Sequence, residues 1–86
     1  MYLHIGQNVV VPEMSVIGVF DLDNTTGSYI TRRFLGEAEK AGCVTPVSDD
    51  LPRSFIVCDE DDKQRIYLSQ LSTQTLLKRS GAMRFD

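Results

Sequence analysis

The feature that most constrains the fold of this chain is a β-hairpin in its second half. Two strand-like runs, Arg53 to Asp59 and Gln64 to Gln70, flank the acidic segment Glu60 to Lys63, which has the composition of a surface turn. A chain of 86 residues can build only one modest hydrophobic core. We therefore expect a single domain spanning residues 1–86 that contains this hairpin.

Three short strands are predicted ahead of the hairpin. Tyr2 to Ile5 is followed by a turn and by Val9 to Val11, which ends at Pro12 because proline has no N–H to donate to a ladder. The third strand, Val16 to Leu22, has apolar side chains at both odd and even positions. This pattern is typical of a strand covered on both faces. In so small a domain, it also suggests self-association.

One long helix is predicted between the third strand and the hairpin. We expect its N-cap at Ser28, its last turn near Ala41 and its C-terminal stop at Gly42. Apolar residues at helical spacing should face the sheet. These residues are Ile30, Phe34, Ala38 and Ala41.

The remaining elements are a short extended piece, Cys43 to Val47, and a short C-terminal helix. Ser72 is expected to cap that helix, Leu71 and Leu76 to form a hydrophobic staple across the cap, and Gly81 to end it. The element order is β-β-β-α-β-β-α. We therefore predict an α+β domain with a small antiparallel sheet, one packed helix and a short C-terminal helix.

Composition and charge exclude several classes of protein. The hydrophobic fraction of 42% and the charged fraction of 24% are those of a globular domain, and the net charge of −3 argues against indiscriminate binding to nucleic acid. Neither a signal peptide nor a membrane-spanning apolar run is present in the sequence, so we expect a cytoplasmic protein. Cys43 and Cys58 are expected to be free thiols, because no CxxC and no histidine cluster accompanies them.

No residue set in the sequence predicts catalysis or a cofactor. His4, the only histidine, lies in a strand without an acid or nucleophile near it in sequence. The acidic run at residues 59–62 lacks the central glycine of a calcium loop, and no glycine-rich nucleotide motif occurs. We therefore expect no enzyme activity, no metal site, no cofactor and no small-molecule substrate.

The candidate functional residues are basic. Lys78 and Arg79 fall in the last turn of the short helix, where they can either contact phosphates or simply complement the helix dipole. Arg53 enters a hairpin strand, so rigid structure holds it, and a guanidinium fork suits phosphate. On the long helix, Arg32 points away from the apolar stripe, and Arg33 is spaced to pair with the glutamate one turn later.

The whole chain resembles the Rem family of bacterial extracellular-matrix (biofilm) regulatory proteins, and it is closer to the RemB branch than to RemA. The matching segments keep the family's order and spacing. They are "LHIGQNVVV" at 3–11, "VIGVFD" at 16–21, "RRFLGEAEKAG" at 32–42, "PRSFIVCD" at 52–59 and "IYLSQLSTQTLLKR" at 66–79.

The resemblance implies a DNA-binding transcriptional regulator that acts as a homo-oligomeric ring. Repeated basic surfaces would then engage double-stranded DNA through its phosphates, and many weak contacts would add to a useful avidity. The residues predicted to contact DNA are Arg53, Arg33, Arg32, Lys78 and Arg79. The alternative is an oligomeric interaction or scaffold member of the same family with weak or no direct DNA binding.

The segment "SDDLPRS" at residues 48–54 departs from the RemA pattern. RemA-type members carry an arginine pair in this loop, and the matching positions hold Asp50 and Leu51, so that only Arg53 remains. A further RemA arginine corresponds to Ser15. A carboxylate facing a phosphate is unfavourable. We therefore predict that the loop around Asp49 and Asp50 is a turn that does not supply the family's basic recognition chemistry.

Overall fold

The computed structural model describes residues 2–22 and 29–79. The described strands are β1 (Tyr2–Gly6), β2 (Val9–Pro12), β3 (Val16–Asp21), β4 (Val44–Pro46), β5 (Ser54–Glu60) and β6 (Lys63–Ser69). The described helices are α1 (Tyr29–Lys40) and α2 (Thr73–Arg79), and a 3-10 turn at Glu13–Ser15 leads into β3. The α+β class and the predicted order are confirmed. The extended piece after α1 adds a further strand, β4, which runs parallel to β6.

The strands form two sheets. β1 and β2 make a two-stranded antiparallel hairpin, and the other four strands are arranged in the order β3-β5-β6-β4. β5 and β6 form the predicted hairpin, in which Glu60 pairs with Lys63. Asp61 and Asp62 connect them with positive φ angles of 53° and 65°. These are the left-handed conformations that a tight two-residue hairpin turn requires.

Both faces of β5 are covered, because consecutive side chains of a strand point to opposite sides. On one side, Ile56 and Cys58 belong to a buried cluster with residues of the β1–β2 hairpin and of α2. On the other side, Phe55 and Val57 belong to a second cluster, against which α1 packs. The domain therefore has three layers, with α1 on one face of the four-stranded sheet and the β1–β2 hairpin with α2 on the opposite face.

The C-terminal end of α1 follows from one glycine. Gly42 has a φ of 76°, its N–H donates to the Glu39 carbonyl at 3.0 Å, and the Cys43 N–H donates to the Ala38 carbonyl at 2.9 Å. This pair of bonds is the Schellman arrangement, which satisfies carbonyls at a helix end. The predicted stop at Gly42 is confirmed. The predicted cap at Ser28 lies outside the described residues.

The buried side of α1 differs from the predicted stripe. Ala38 packs against the second cluster as expected, and the ring centroids of Phe34 and Phe55 lie 6.4 Å apart. Ala41 is exposed, so its predicted contact with the sheet is wrong, because α1 ends one residue earlier and the chain turns away. Leu35 packs against the sheet in its place. The side chain of Ile30 lies outside what the structure describes.

The start of α2 is confirmed in detail. The Ser72 Oγ accepts a hydrogen bond from the Thr75 N–H at 3.2 Å, as an N-cap should. Leu71 and Leu76 both pack in the first cluster, which is the predicted staple. The predicted end at Gly81 lies outside the described residues. Across residues 2–22 and 29–79, neither helix has the length and apolar character needed to cross a membrane.

The predicted coverage of β3 on both faces is wrong for the single chain. Val19 packs in the first cluster and Phe20 stacks on Phe55, yet Ile17 is 64% exposed and Phe20 is 43% exposed. These side chains stay exposed because β3 lies at one edge of the sheet, whereas α1 packs near the other edge, against β4. The apolar pattern of β3 is therefore only partly accounted for by its own chain.

The two adjacent leucines of α2 provide a test of this packing. Leu76 is 1% exposed and Leu77 is 42% exposed. Replacing Leu76 with alanine leaves a cavity in the first cluster, so it is expected to lower the free energy of unfolding by about 2–5 kcal/mol. Leu77→Ala is expected to cost less than about 1 kcal/mol. Urea unfolding followed by circular dichroism measures both, and equal losses would contradict the placement of α2.

Candidate DNA-contact and assembly surfaces

The five residues predicted to contact DNA do not lie on one surface. Arg32 and Arg33 are exposed on α1, and Lys78 and Arg79 are exposed in the last turn of α2. Because the two helices cover opposite faces of the sheet, these two pairs lie on opposite sides of the domain.

Arg53 occupies a third position, immediately before β5. Its N–H donates to the Ser69 carbonyl at 2.8 Å, and its carbonyl accepts from the Leu22 N–H at 3.0 Å, so its backbone is fixed as expected. The neighbouring Ser54 Oγ donates to the Leu71 carbonyl at 2.8 Å, just ahead of the start of α2. Since α2 has 7 residues and rises about 1.5 Å per residue, Arg53 lies near the opposite end of α2 from Lys78 and Arg79.

The cations of α1 are interspersed with carboxylates. The Arg33 Nε lies 3.7 Å from the Glu37 Oε1, which confirms the predicted pair. Such an exposed pair contributes little stability, but it offsets the positive charge nearby. Glu39 follows on the same helix. The outward side of α1 is therefore a mixed surface; its shallow hollow is lined by Tyr29, Arg32, Arg33, Gly36, Glu37 and Lys40.

The elements of the opposite layer carry cations but no carboxylates of their own. Neither β1, β2 nor α2 contains an aspartate or a glutamate. The Arg79 Nη1 donates to the His4 Nδ1 at 3.1 Å, so the end of α2 is joined to β1. We call the area formed by His4, Lys78 and Arg79 the α2–hairpin surface. The sequence does not predict a partner for His4. The alternation of Leu3 and Ile5 with polar neighbours does indicate that the His4 side chain faces outward.

The first residues of the segment 48–54 form the predicted turn. The Ser48 Oγ accepts a hydrogen bond from the Asp50 N–H at 3.0 Å, and Asp49, Asp50 and Leu51 are all exposed. The Gln7 Nε2 lies 3.5 Å from the Ser48 Oγ, so this loop sits beside the β1–β2 turn. Asp49 lines a shallow hollow together with Gln7, so this acidic loop lies close to the α2–hairpin surface.

An apolar groove runs between α1 and the edge strand β3. Phe20 stacks on Phe55 with ring centroids 5.0 Å apart. A Cβ atom at position 18 would lie 2.8 Å from the Phe20 ring, so the absence of a side chain at Gly18 makes room for that ring. We call this the β3 groove; it is lined by Ile17, Phe20, Thr31, Phe34, Phe55 and Val57.

Two titratable groups of the sheet, Cys58 and Tyr67, favour their neutral forms. Burial raises the pKa of the Cys58 thiol, against an opposing hydrogen bond with Ser15. Burial and the hydrogen bond from the Tyr67 hydroxyl to Glu60, at 2.9 Å, raise the pKa of Tyr67 to about 12. The raised pKa of Tyr67 stabilises the fold below about pH 10, and this contribution is lost as the pH rises towards 12.

In the described part of the chain, no three His, Cys, Asp or Glu side chains gather as metal ligands would.

The fold and its surfaces define a small α+β protein with an apolar sheet edge and a cationic helix end. The family model "RemA-like: Extracellular matrix regulatory protein A-like" matches residues 2–79. "Extracellular matrix regulatory protein B" of Bacillus subtilis (strain 168) is 35% identical over 83 residues, which cover 96% of this chain and 94% of the relative. The chain therefore belongs to the RemA-like family of extracellular matrix regulatory proteins, and the resemblance predicted from its sequence is confirmed.

Proposed function

We propose that the protein is a DNA-binding transcriptional regulator that acts as a cytoplasmic homo-oligomer and contacts the phosphate backbone. The relatives are named as regulatory proteins of the extracellular matrix. The observation that carries the proposal is the α2–hairpin surface, where Lys78 and Arg79 stand in a layer whose strands and helix contain no carboxylate. With no acid on β1, β2 or α2 themselves, these cations are better placed to hold phosphates than those of α1.

A single copy is a poor ligand for DNA. Two cations per protomer release few counterions, and the net charge of −3 opposes close approach. Copies joined in one assembly bind as a unit, so each further contact is made at a high effective concentration. Backbone contacts of this kind fix position more than sequence, and DNA shape then supplies much of the specificity.

The second copy is proposed to dock on β3 and its groove. Among the described strands, β3 pairs only with β5, so it is an edge strand of the sheet, and it contains no lysine or proline to block pairing with another chain. The other edge strand, β4, has only 3 residues and ends at Pro46. A copy pairing along β3 would cover Ile17 and Phe20, which an 86-residue domain leaves exposed. Closure into a ring, which the resemblance implies, would repeat the α2–hairpin surface around the assembly.

A scaffold without direct DNA binding is the second candidate. The loop that carries Asp49 and Asp50 lies beside the β1–β2 turn, and its carboxylates would repel phosphates that approach from that side. In this alternative the β3 groove still drives assembly, and a partner protein contacts the DNA.

Charge reversal tests the DNA-contact surface. Arg79→Glu is expected to weaken binding to a duplex at least tenfold and to make the dependence of log K on log salt shallower by about 0.9 for each phosphate that is no longer neutralised. Lys63→Glu makes a matched change of charge in the β5–β6 turn, outside the α2–hairpin surface, and is expected to weaken binding less than threefold. Fluorescence anisotropy at several salt concentrations measures both.

Two results would contradict the DNA-contact proposal. One is equal weakening by Arg79→Glu and Lys63→Glu. The other is no binding at about 50 mM salt by the intact oligomer, where phosphate contacts are strong; this outcome favours the scaffold. Circular dichroism of each variant confirms that the fold is kept.

A substitution in the β3 groove tests the assembly surface. Ile17→Asp places a charge on an exposed apolar position, so the single chain should fold while pairing along β3 is disfavoured. Light scattering coupled to size exclusion is expected to show a smaller species than the unchanged protein. Leu51→Asp, in a loop where Leu51 is 86% exposed, is the control and should leave the assembly intact. A monomeric unchanged protein at tens of micromolar would refute the surface.

A further inference from the structure

His4, the only histidine of the chain, bridges two elements that are far apart in sequence. The Nε2 lies 2.6 Å from the Gln7 carbonyl oxygen in the β1–β2 turn, and the Nδ1 lies 3.1 Å from the Arg79 Nη1 at the end of α2. The α2–hairpin surface is held together at this ring.

These two contacts are both hydrogen bonds in only one tautomer of His4. A carbonyl oxygen can only accept, so the Nε2 must carry the hydrogen; a guanidinium can only donate, so the Nδ1 must present its lone pair. Both contacts therefore require the neutral ring with its hydrogen on Nε2. Protonation of the Nδ1 removes the acceptor and places a second positive charge beside Arg79.

Charged groups of both signs lie on the elements around His4. β2 places only Val10 opposite it and is followed by Glu13, and Tyr2 is the other ionisable side chain of β1. α2 carries Lys78 and Arg79, and the loop beside the β1–β2 turn carries Asp49 and Asp50. A phosphate bound at this surface would interact more favourably with a protonated His4 than with a neutral one.

We propose that His4 is a proton-linked residue of the DNA-contact surface, which holds Arg79 when neutral and, when protonated, releases that guanidinium and adds a cation of its own. The inference rests on the proposed function of this surface. Histidine is the side chain whose charge ordinarily changes between pH 5 and 8. By linkage, DNA that binds the protonated form better draws a proton onto His4, so the affinity of the protein for DNA rises as the pH falls.

The test is binding to a duplex of about 25 base pairs, whose phosphates do not titrate in this range, by fluorescence anisotropy at pH 8.0 and 6.0 and constant ionic strength. The unchanged protein is expected to bind at least threefold more tightly at pH 6.0. At pH 6.0, the slope of log K against log salt should be steeper by about 0.9 for each protomer in contact with DNA, because each protomer has gained one cation.

The matched variant is His4→Gln, because the glutamine amide oxygen can still accept from Arg79 but cannot be protonated in this range. It is expected to lose the gain in affinity at pH 6.0, so that its dissociation constants at pH 8.0 and pH 6.0 agree within about twofold. Because it keeps the same N-terminal amine, it also controls for titration of that group.

Different outcomes would overturn the role of His4 and the proposed function of the α2–hairpin surface. Binding that is measurable but equal at both pH values, or an equal pH dependence in His4→Gln, overturns the role of His4 and leaves the DNA-contact surface standing. No binding by any variant at either pH overturns both.

Discussion

Burial of β5 on both of its faces is the constraint on which the rest of the structure depends. Ser54 to Cys58 are all buried, so each side of this strand needs its own cover. In this chain, α1 covers one side of β5, and the β1–β2 hairpin with α2 covers the other. The two helices and the cations that they carry are therefore forced to opposite sides of the domain.

The same constraint leaves β3 incompletely covered and gives the two layers different surfaces. α1 covers the sheet towards β4, so the edge at β3 keeps exposed apolar side chains, which a second copy can bury. The α1 layer mixes arginines with glutamates, whereas the hairpin and α2 expose Lys78 and Arg79 without carboxylates of their own. Assembly and contact with a polyanion can thus use separate surfaces, so oligomer contacts need not hide the cations.

Local chemistry explains what the sequence could predict. The β5–β6 turn, the stop at Gly42 and the cap at Ser72 each depend on residues within a few positions of one another. The side of α1 that faces the sheet was partly mispredicted, because the helix end at Lys40 removes Ala41 from the contact. The pattern of β3 is two-sided, but periodicity alone does not distinguish cover by its own chain from cover by another. The contact between His4 and Arg79 joins residues 75 positions apart, which no local pattern encodes.

We infer that DNA is held by the layer formed by the β1–β2 hairpin and α2. Hydrogen–deuterium exchange with and without duplex DNA tests it most directly, because this measurement suits an oligomer of any size. We expect DNA to slow exchange in peptides covering residues 2–12 and 72–79, while α1 exchanges as before. Slowed exchange confined to α1, around Arg32 and Arg33, or to the loop at residues 48–53 would contradict it.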